Sequence, residues 1–89
     1  MALIDKGLAK RLEETKLCDT QTILETDSEE WFLLRAVIPD DRDTRAWLLS
    51  QGASLIVREP VSLRDELLEE VAAIQRLSVS LDGVVIKNK

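Results

Sequence analysis

The strongest constraint on the fold is a run of eight residues, WFLLRAVI, between Trp31 and Ile38. Every residue in it is apolar except Arg35. An apolar run of this length without helical spacing is typical of a strand that is covered on at least one face, rather than of an edge strand exposed to water. We therefore predict that residues 31–38 form the central strand of a β-sheet.

The next segment predicts a short helix. Asp40 or Asp41 can accept hydrogen bonds from the first free backbone N–H groups of such a helix. Trp47 and Leu48 supply its apolar side, and Gly52 follows at the position where a left-handed residue ends a helix. This helix therefore has at most about three turns.

A second strand follows the helix over residues 54–58. In a strand, Leu55 and Val57 point to one face of the sheet and Ile56 points to the other. Two strands that are connected through a helix are normally parallel, with a right-handed crossover. We therefore expect residues 31–38 and 54–58 to run parallel in one sheet.

The first part of the chain predicts an amphipathic helix over residues 3–15. Apolar side chains recur there at Ile4, Leu8 and Leu12, which is the spacing of one helix face. Gly7 weakens this helix, because glycine loses more conformational freedom than other residues when a helix forms. The helix is therefore expected to fray at its start.

A β-hairpin is predicted between this helix and the central strand. Residues 15–20 have no periodicity and form a connector. Residues 21–26 contain β-branched types suited to a short strand, and the turn-forming residues 27–30 follow. Since hairpin strands are antiparallel, the predicted sheet is mixed.

The last part of the chain predicts the longest helix. Ser62 can cap the backbone N–H groups ahead of it, and Asp65 stands three residues later, in the position of a capping box. Apolar side chains continue at helical spacing at Leu63, Leu67, Leu68, Val71 and Ile74. After Leu77 the pattern changes, and Asp82-Gly83 between apolar residues predicts a short hairpin or a frayed end.

Together these segments predict an α+β fold with a mixed sheet covered by helices. The predicted order is α-β-β-α-β-α, with the hairpin or frayed tail at the C-terminus. A chain of 89 residues has room for one modest core and no second domain.

Composition excludes several classes of function. The formal net charge of −5 repels phosphate backbones, so non-specific nucleic-acid binding by net charge is disfavoured. The sequence has no His, so the common zinc, copper and non-haem iron ligand sets cannot be assembled. Without His or Tyr, a hydrolytic triad would have to be built from carboxylates, Lys or the single Cys, and none of these is placed suggestively. We expect no enzymatic activity, no metal and no cofactor.

Composition also bears on the compartment. Cys18 is the single cysteine, so no disulfide forms within the chain, and a reducing, cytoplasmic location fits best. Cys18 itself is interpreted as a small hydrophobe. No stretch approaches the roughly 20 apolar residues of a membrane span, and the first residues do not have the pattern of a signal peptide.

The candidate ligand-binding residues are Arg35, Arg58, Arg42 and Arg45. Arg35 interrupts an apolar strand and Arg58 ends the neighbouring one. If these two share a sheet face with the other two nearby, the group could recognise an anion. The alternative is that each arginine pairs with a carboxylate such as Glu59 or Asp43 in a structural ion pair.

A cluster of carboxylates marks the first turns of the last helix, at Asp65, Glu66, Glu69 and Glu70. Negative charge there complements the helix macrodipole, which is a sufficient structural reason for the cluster. The alternative is an acidic face that binds a basic partner. A free-standing acidic adaptor that binds another protein through its helices is therefore a second hypothesis for the function.

Several ordered motifs resemble one known family. They are WLLSQG at residues 47–52, IVREP at 56–60 and LRDE at 63–66, with LAKRL at 8–12 and QTI at 21–23 upstream. As a set they resemble the C-terminal extension, the WCX-like domain, of bacterial WYL-domain transcriptional regulators. The resemblance covers about residues 3–76.

The resemblance implies a small ferredoxin-like open-faced sandwich and a regulatory function. It divides the chain into an N-terminal helix and connector (1–20), a WCX-like α/β core (21–77) and a C-terminal tail or hairpin (78–89). It implies a module that helps a regulator to dimerise and to respond to an effector, nucleic acid or nucleotide-like in character. The implied partners are a second copy, in a homodimer, and a parent WYL-type regulator. The sequence has no helix-turn-helix, so no direct DNA binding is expected from this chain alone.

Overall fold

In the computed structural model, which describes residues 1–87, four strands form one sheet and three α-helices accompany it. The elements are β1 (Ala2–Asp5), α1 (Lys6–Glu14), β2 (Thr22–Glu25), β3 (Trp31–Arg35), α2 (Arg42–Ser50), β4 (Leu55–Val57) and α3 (Val61–Ser80). A 3₁₀ turn, Gly52–Ser54, joins α2 to β4. The α+β class is confirmed. The order is β-α-β-β-α-β-α, so the predicted order lacked the first strand.

The N-terminal residues form a strand, and the predicted helix over 3–15 is wrong at its start. Ile4 in β1 is 0% exposed, and α1 begins only after Asp5, whose Oδ1 accepts a hydrogen bond from the Leu8 N–H at 2.9 Å. The four-residue spacing from Ile4 to Leu12 arises because β1 and α1 both bury side chains in the same core. That spacing therefore imitates one continuous helix.

The sheet order is β2-β3-β1-β4, and each neighbouring pair is antiparallel. β1 lies between β3 and β4, so these two strands point the same way without being neighbours. The predicted common direction of β3 and β4 is therefore confirmed, but the mixed sheet is wrong. The difference follows from β1, because a strand inserted between two parallel strands makes both new pairs antiparallel.

The predicted turns and caps around β2, β3 and α2 agree with the structure. The β2–β3 hairpin is closed by the Thr26 hydroxyl, which donates to the Trp31 carbonyl at 2.7 Å. Asp41 caps α2 by accepting from the Thr44 N–H at 2.8 Å. Gly52 has a φ of 59°, a conformation that favours glycine. β3 ends earlier than predicted, since residues 36–40 form no regular structure.

The core lies between the sheet and the helices. Its buried residues are Ala2, Ile4, Leu8, Ala9, Leu12, Leu34, Leu48, Leu55 and Val57. Strands β1, β3 and β4 and helices α1 and α2 all contribute to it. From α3, only Leu63 and Leu67 pack against this cluster.

Helix α3 differs from its prediction at both ends. It starts at Val61, so Ser62 lies inside the first turn and no side chain caps the helix. It continues to Ser80, and residues 81–87 contain a turn and no strand, so of the two predicted alternatives, a hairpin or a frayed end, the hairpin does not form over these residues. The last two residues of the predicted tail 78–89 lie outside the described residues. The turn is held by a hydrogen bond of 2.9 Å from the Val84 N–H to the Leu81 carbonyl.

The burial of β1 predicts that Ile4 contributes much more to stability than an isoleucine at the sheet edge. We expect Ile4→Val to lower the free energy of unfolding by about 1 kcal/mol, because it removes a methylene from a packed core. Ile56 in β4 is 45% exposed, and Ile56→Val is the matched control with an expected effect near zero. Urea unfolding measures both. Equal effects of the two substitutions would contradict the position of β1.

The cap at Asp5 predicts an acid-dependent contribution to stability. The hydrogen bond from the Leu8 N–H holds the pKa of Asp5 below its ordinary value, so the carboxylate stabilises the fold above that value and loses its contribution as pH falls through the lowered pKa. We expect Asp5→Ala to cost about 1 kcal/mol at neutral pH and progressively less in acid below about pH 4. Asp5→Asn keeps an acceptor, and urea unfolding should place it near the wild type at neutral pH. An equal loss for Asn and Ala would show that Asp5 does not act as a cap.

Candidate ligand-binding surfaces

The two faces of the sheet have different surroundings. Ile4 and Leu34 are buried on the face that packs against α1 and α2. Because side chains alternate along a strand, their neighbours Leu3 and Leu33 belong to the opposite face, here called the open face. Any ligand that binds directly to the sheet must therefore use the open face.

An apolar row crosses the open face on all four strands. The strand register places Leu24 opposite Leu33, Leu33 opposite Leu3, and Leu3 opposite Ile56. Leu24 and Ile56, at the two edges, are 43% and 45% exposed, and the two inner leucines are half-buried. This row provides a flat apolar surface beside which polar groups can orient a ligand.

Arg35 and Arg58 lie at the same end of the open face. Arg35 follows buried Leu34 in β3, and Arg58 follows buried Val57 after β4, so alternation places both on this face. The Arg58 N–H donates to the Met1 carbonyl at 2.9 Å, which continues the pairing of the two chain segments. Met1 thus lies between the two arginines, whose backbones are two strand spacings apart, about 10 Å.

Neither of these two arginines is neutralised by a neighbouring acid. Both are exposed, and within residues 1–87 neither forms a salt bridge. The predicted alternative, an ion pair with Glu59 or Asp43, therefore does not form at this end of the sheet. Two exposed guanidinium groups on one face can both donate hydrogen bonds to an anion.

Arg42 and Arg45 lie apart from this group, on α2 in a cleft between α2 and α3. The Arg45 Nη2 is 2.6 Å from Oδ1 of Asp40, and its Nε is 3.1 Å from Oε2 of Glu66. The second contact is close enough for an ion pair, but the Nε–H does not point at the oxygen and forms no hydrogen bond. Arg45 therefore connects α2 to α3 as a structural residue, with partners other than those predicted.

The cleft itself is balanced in charge. Its volume is about 880 Å³. The charged residues that line it are Arg42, Arg45, Arg76, Glu66, Glu69 and Glu70. Arg76 was not among the predicted residues, although residues 66, 69, 73 and 76 are spaced three or four apart and so share one helix face. Three carboxylates among three guanidinium groups disfavour an anion there.

Cys18, the remaining reactive side chain, has a structural explanation. The Sγ of Cys18 is half-buried, 3.2 Å from Oγ1 of Thr20 and 3.7 Å from the carbonyl oxygen of Val37. In the part of the chain that the structure describes, no three His, Cys, Asp or Glu side chains come together as metal ligands. These contacts place Cys18 in the packing between the connector and the segment after β3.

The ion pairs of Arg45 predict a modest stabilisation that depends on salt. The side chain is 39% exposed, so we expect Arg45→Ala to cost no more than about 1 kcal/mol. A double-mutant cycle with Glu66→Gln should give a coupling of about 0.5 kcal/mol that decreases at high ionic strength. Arg42→Ala, from the same helix but without a salt bridge within residues 1–87, is the control and should couple to Glu66 by less. Urea unfolding measures these values, and a coupling of zero at low salt would contradict the assigned contact.

The comparison with protein-family models agrees with the resemblance seen in the motifs. Among residues 1–87, no helix combines the length and the hydropathy that a bilayer crossing requires. The comparison with curated proteins gave no match, and the comparison with solved structures gave none. The family model described as the WCX domain matches residues 2–75, which is more than half of the chain. The chain therefore belongs to the WCX domain family, the regulatory extension of WYL-type proteins that its sequence resembles.

Proposed function

We propose that this chain is a non-enzymatic regulatory module of a WYL-type transcriptional regulator, which self-associates and binds an anionic effector on the open face of its sheet. Membership of the WCX domain family supports the regulatory function. The observation that carries the binding site is the position of Arg35 and Arg58, exposed at one end of the open face and without salt bridges within residues 1–87.

The chemistry of the open face favours an effector with both an anionic and a flat apolar part. The two guanidinium groups can hold phosphate or carboxylate oxygens in paired hydrogen bonds. The row through Leu3 and Leu33 continues from them across the sheet and can contact a planar ring. A nucleotide or a short single-stranded oligonucleotide has both parts.

Three further observations support other elements of the proposal. The order β2-β3-β1-β4, reached by a β-α-β-β-α-β path, supports a ferredoxin-like sandwich. The lack of His and Tyr in the sequence supports a non-enzymatic function. The single cysteine supports a cytoplasmic location.

The second candidate function is an acidic adaptor that binds another protein through its helices. Asp65, Glu69 and Glu70 support it, because none of them forms a salt bridge within residues 1–87. Glu66 does not, since Arg45 already compensates its charge. We place this candidate second because the arginines of the same cleft balance its glutamates.

The proposed effector site predicts that Arg35 and Arg58 act together on one ligand. A fluorescently labelled short single-stranded oligonucleotide is titrated with the protein, and anisotropy reports binding. The double variant Arg35→Ala/Arg58→Ala should weaken binding by about tenfold or more, and the plot of log K against log salt should become less steep by about 0.7 for each arginine removed, as expected for a single strand. Thermal unfolding of the variant should match the wild type, because both side chains are exposed.

Two controls make this experiment specific. Arg42→Ala/Arg76→Ala also removes two positive charges, but from the cleft, and should leave oligonucleotide binding within about twofold. Glu69→Gln/Glu70→Gln should leave it unchanged, whereas an acidic adaptor would depend on these glutamates for its partner. If Arg42→Ala/Arg76→Ala weakens binding as much as Arg35→Ala/Arg58→Ala does, binding depends only on the net charge of the protein and the proposed site is wrong.

A further inference from the structure

Most of α3 extends away from the folded core. The helix has 20 residues and no buried side chain. The radius of gyration is 15.9 Å, against about 12 Å for a compact chain of this length. Only Leu63 and Leu67 pack against the core cluster, so in a single copy the later turns face solvent except on the side that lines the cleft with α2.

An apolar stripe runs along the exposed part of α3. It begins at half-buried Leu67, continues through Val71, Ile74 and Leu77, and ends at Leu81, the residue directly after the helix; these residues are spaced three or four apart and so share one face. Ile74, Leu77 and Leu81 are each 55% exposed, and Val71 is 43% exposed. A solvent-facing helix normally presents polar residues there, so the part of the stripe from Val71 to Leu81 has the composition of a buried seam, and Glu70, which shares this face, marks where that part ends.

The charge pattern of α3 indicates what covers the stripe. Residues 71–81 carry one charge, that of Arg76, whereas the preceding turns carry four carboxylates. A basic partner would gain nothing from the uncharged turns. A second copy of this chain can pack on these turns without electrostatic repulsion, provided that its acidic turns lie elsewhere along the helix.

We propose that a second copy of this chain packs antiparallel on the α3 stripe, with the two-fold axis at Ile74. This inference rests on the proposed function, because it assigns a surface to the self-association proposed there. In this register Ile74 meets Ile74 of the second copy, Val71 meets Leu77, and Leu67 meets Leu81. The stripe is therefore complementary to itself, as a two-fold interface requires.

Electrostatics selects the antiparallel orientation. Glu69 and Glu70 of one copy lie opposite Val79 and Ser78 of the other, and the two acidic clusters are about 12–15 Å apart along the helix axis. That separation exceeds the Debye length of about 8 Å at physiological salt. In a parallel pair the clusters would lie side by side at the helix spacing of about 8–10 Å. In the antiparallel pair, Asp82 of one copy lies opposite Glu66 of the other, and Arg45 compensates the charge of Glu66.

The size of the stripe indicates a reversible dimer. From Leu67 to Leu81 the contact is about 21 Å long, and a helix is about 10 Å wide, which gives a patch on the order of 200 Å² in projection. A standard interface buries about 800 Å² on each partner, so the helix pair by itself is smaller than a permanent interface. The dimer should therefore form and dissociate with protein concentration.

Light scattering across protein concentrations tests the surface. The wild-type mass should rise from 10.0 kDa toward twice that value as concentration increases. Ile74→Glu places two carboxylates on the two-fold axis and should raise the dissociation constant by about tenfold or more. Leu68→Glu is the matched control, because Leu68 is 53% exposed but lies on another side of α3, and it should associate like the wild type. Circular dichroism confirms that both variants fold.

Cysteine cross-linking tests the orientation, in a Cys18→Ser background. Val71→Cys mixed with Leu77→Cys should form a disulfide-linked dimer on oxidation. Val71→Cys alone should not, because its two copies are about 9 Å apart along the axis, beyond the roughly 7 Å limit for disulfide formation. Cross-linking of Val71→Cys with itself and not with Leu77→Cys would overturn the antiparallel register.

The outcomes separate this inference from the proposed function. If the Ile74→Glu variant self-associates as well as the wild type does, the α3 surface is wrong and self-association itself stands. A wild type that stays at the monomer mass at every concentration would overturn both the surface and the proposed self-association. The oligonucleotide titration decides the effector site independently in either case.

Discussion

The structure depends on the placement of β1 between β3 and β4. Without β1, the strands β3 and β4 would have no common neighbour. The core would also lose Ile4, which is completely buried. The same strand also positions α1, because its last residue, Asp5, caps that helix through Leu8. Four residues therefore determine the sheet order, one helix start and the centre of the core.

Local signals in the sequence predicted most elements but not this strand. Asp41 and Gly52 mark the ends of α2 through short-range backbone chemistry, and both act in the structure as predicted. β1 has no such signal, because no turn separates it from α1 and Ile4 continues the four-residue spacing of Leu8. Only pairing with residues about 30 and 50 positions away, beyond the reach of a local pattern, distinguishes it from a helix start.

The same dependence on long-range pairing explains why the sequence predicted the candidate site only in part. The sequence identified four arginines, but which of them come together depends on strand register and helix packing. β1 brings Arg35 and Arg58 to one end of the open face, and α3 brings Glu66 to Arg45. Arg76 was not predicted because the cleft is formed by α2 and α3 together. The sequence of α3 alone does not show which of its faces lies against α2.

The stripe of α3 shows why an apolar pattern does not by itself define a core. Its spacing predicted a helix with one apolar face, and the helix is present. The core that this face was expected to meet reaches only as far as Leu67, because α1, α2 and the sheet already enclose it. The apolar residues of the stripe beyond that point therefore add nothing to this core within a single copy. They share no residue with the open face, so substitutions can separate effector binding from self-association.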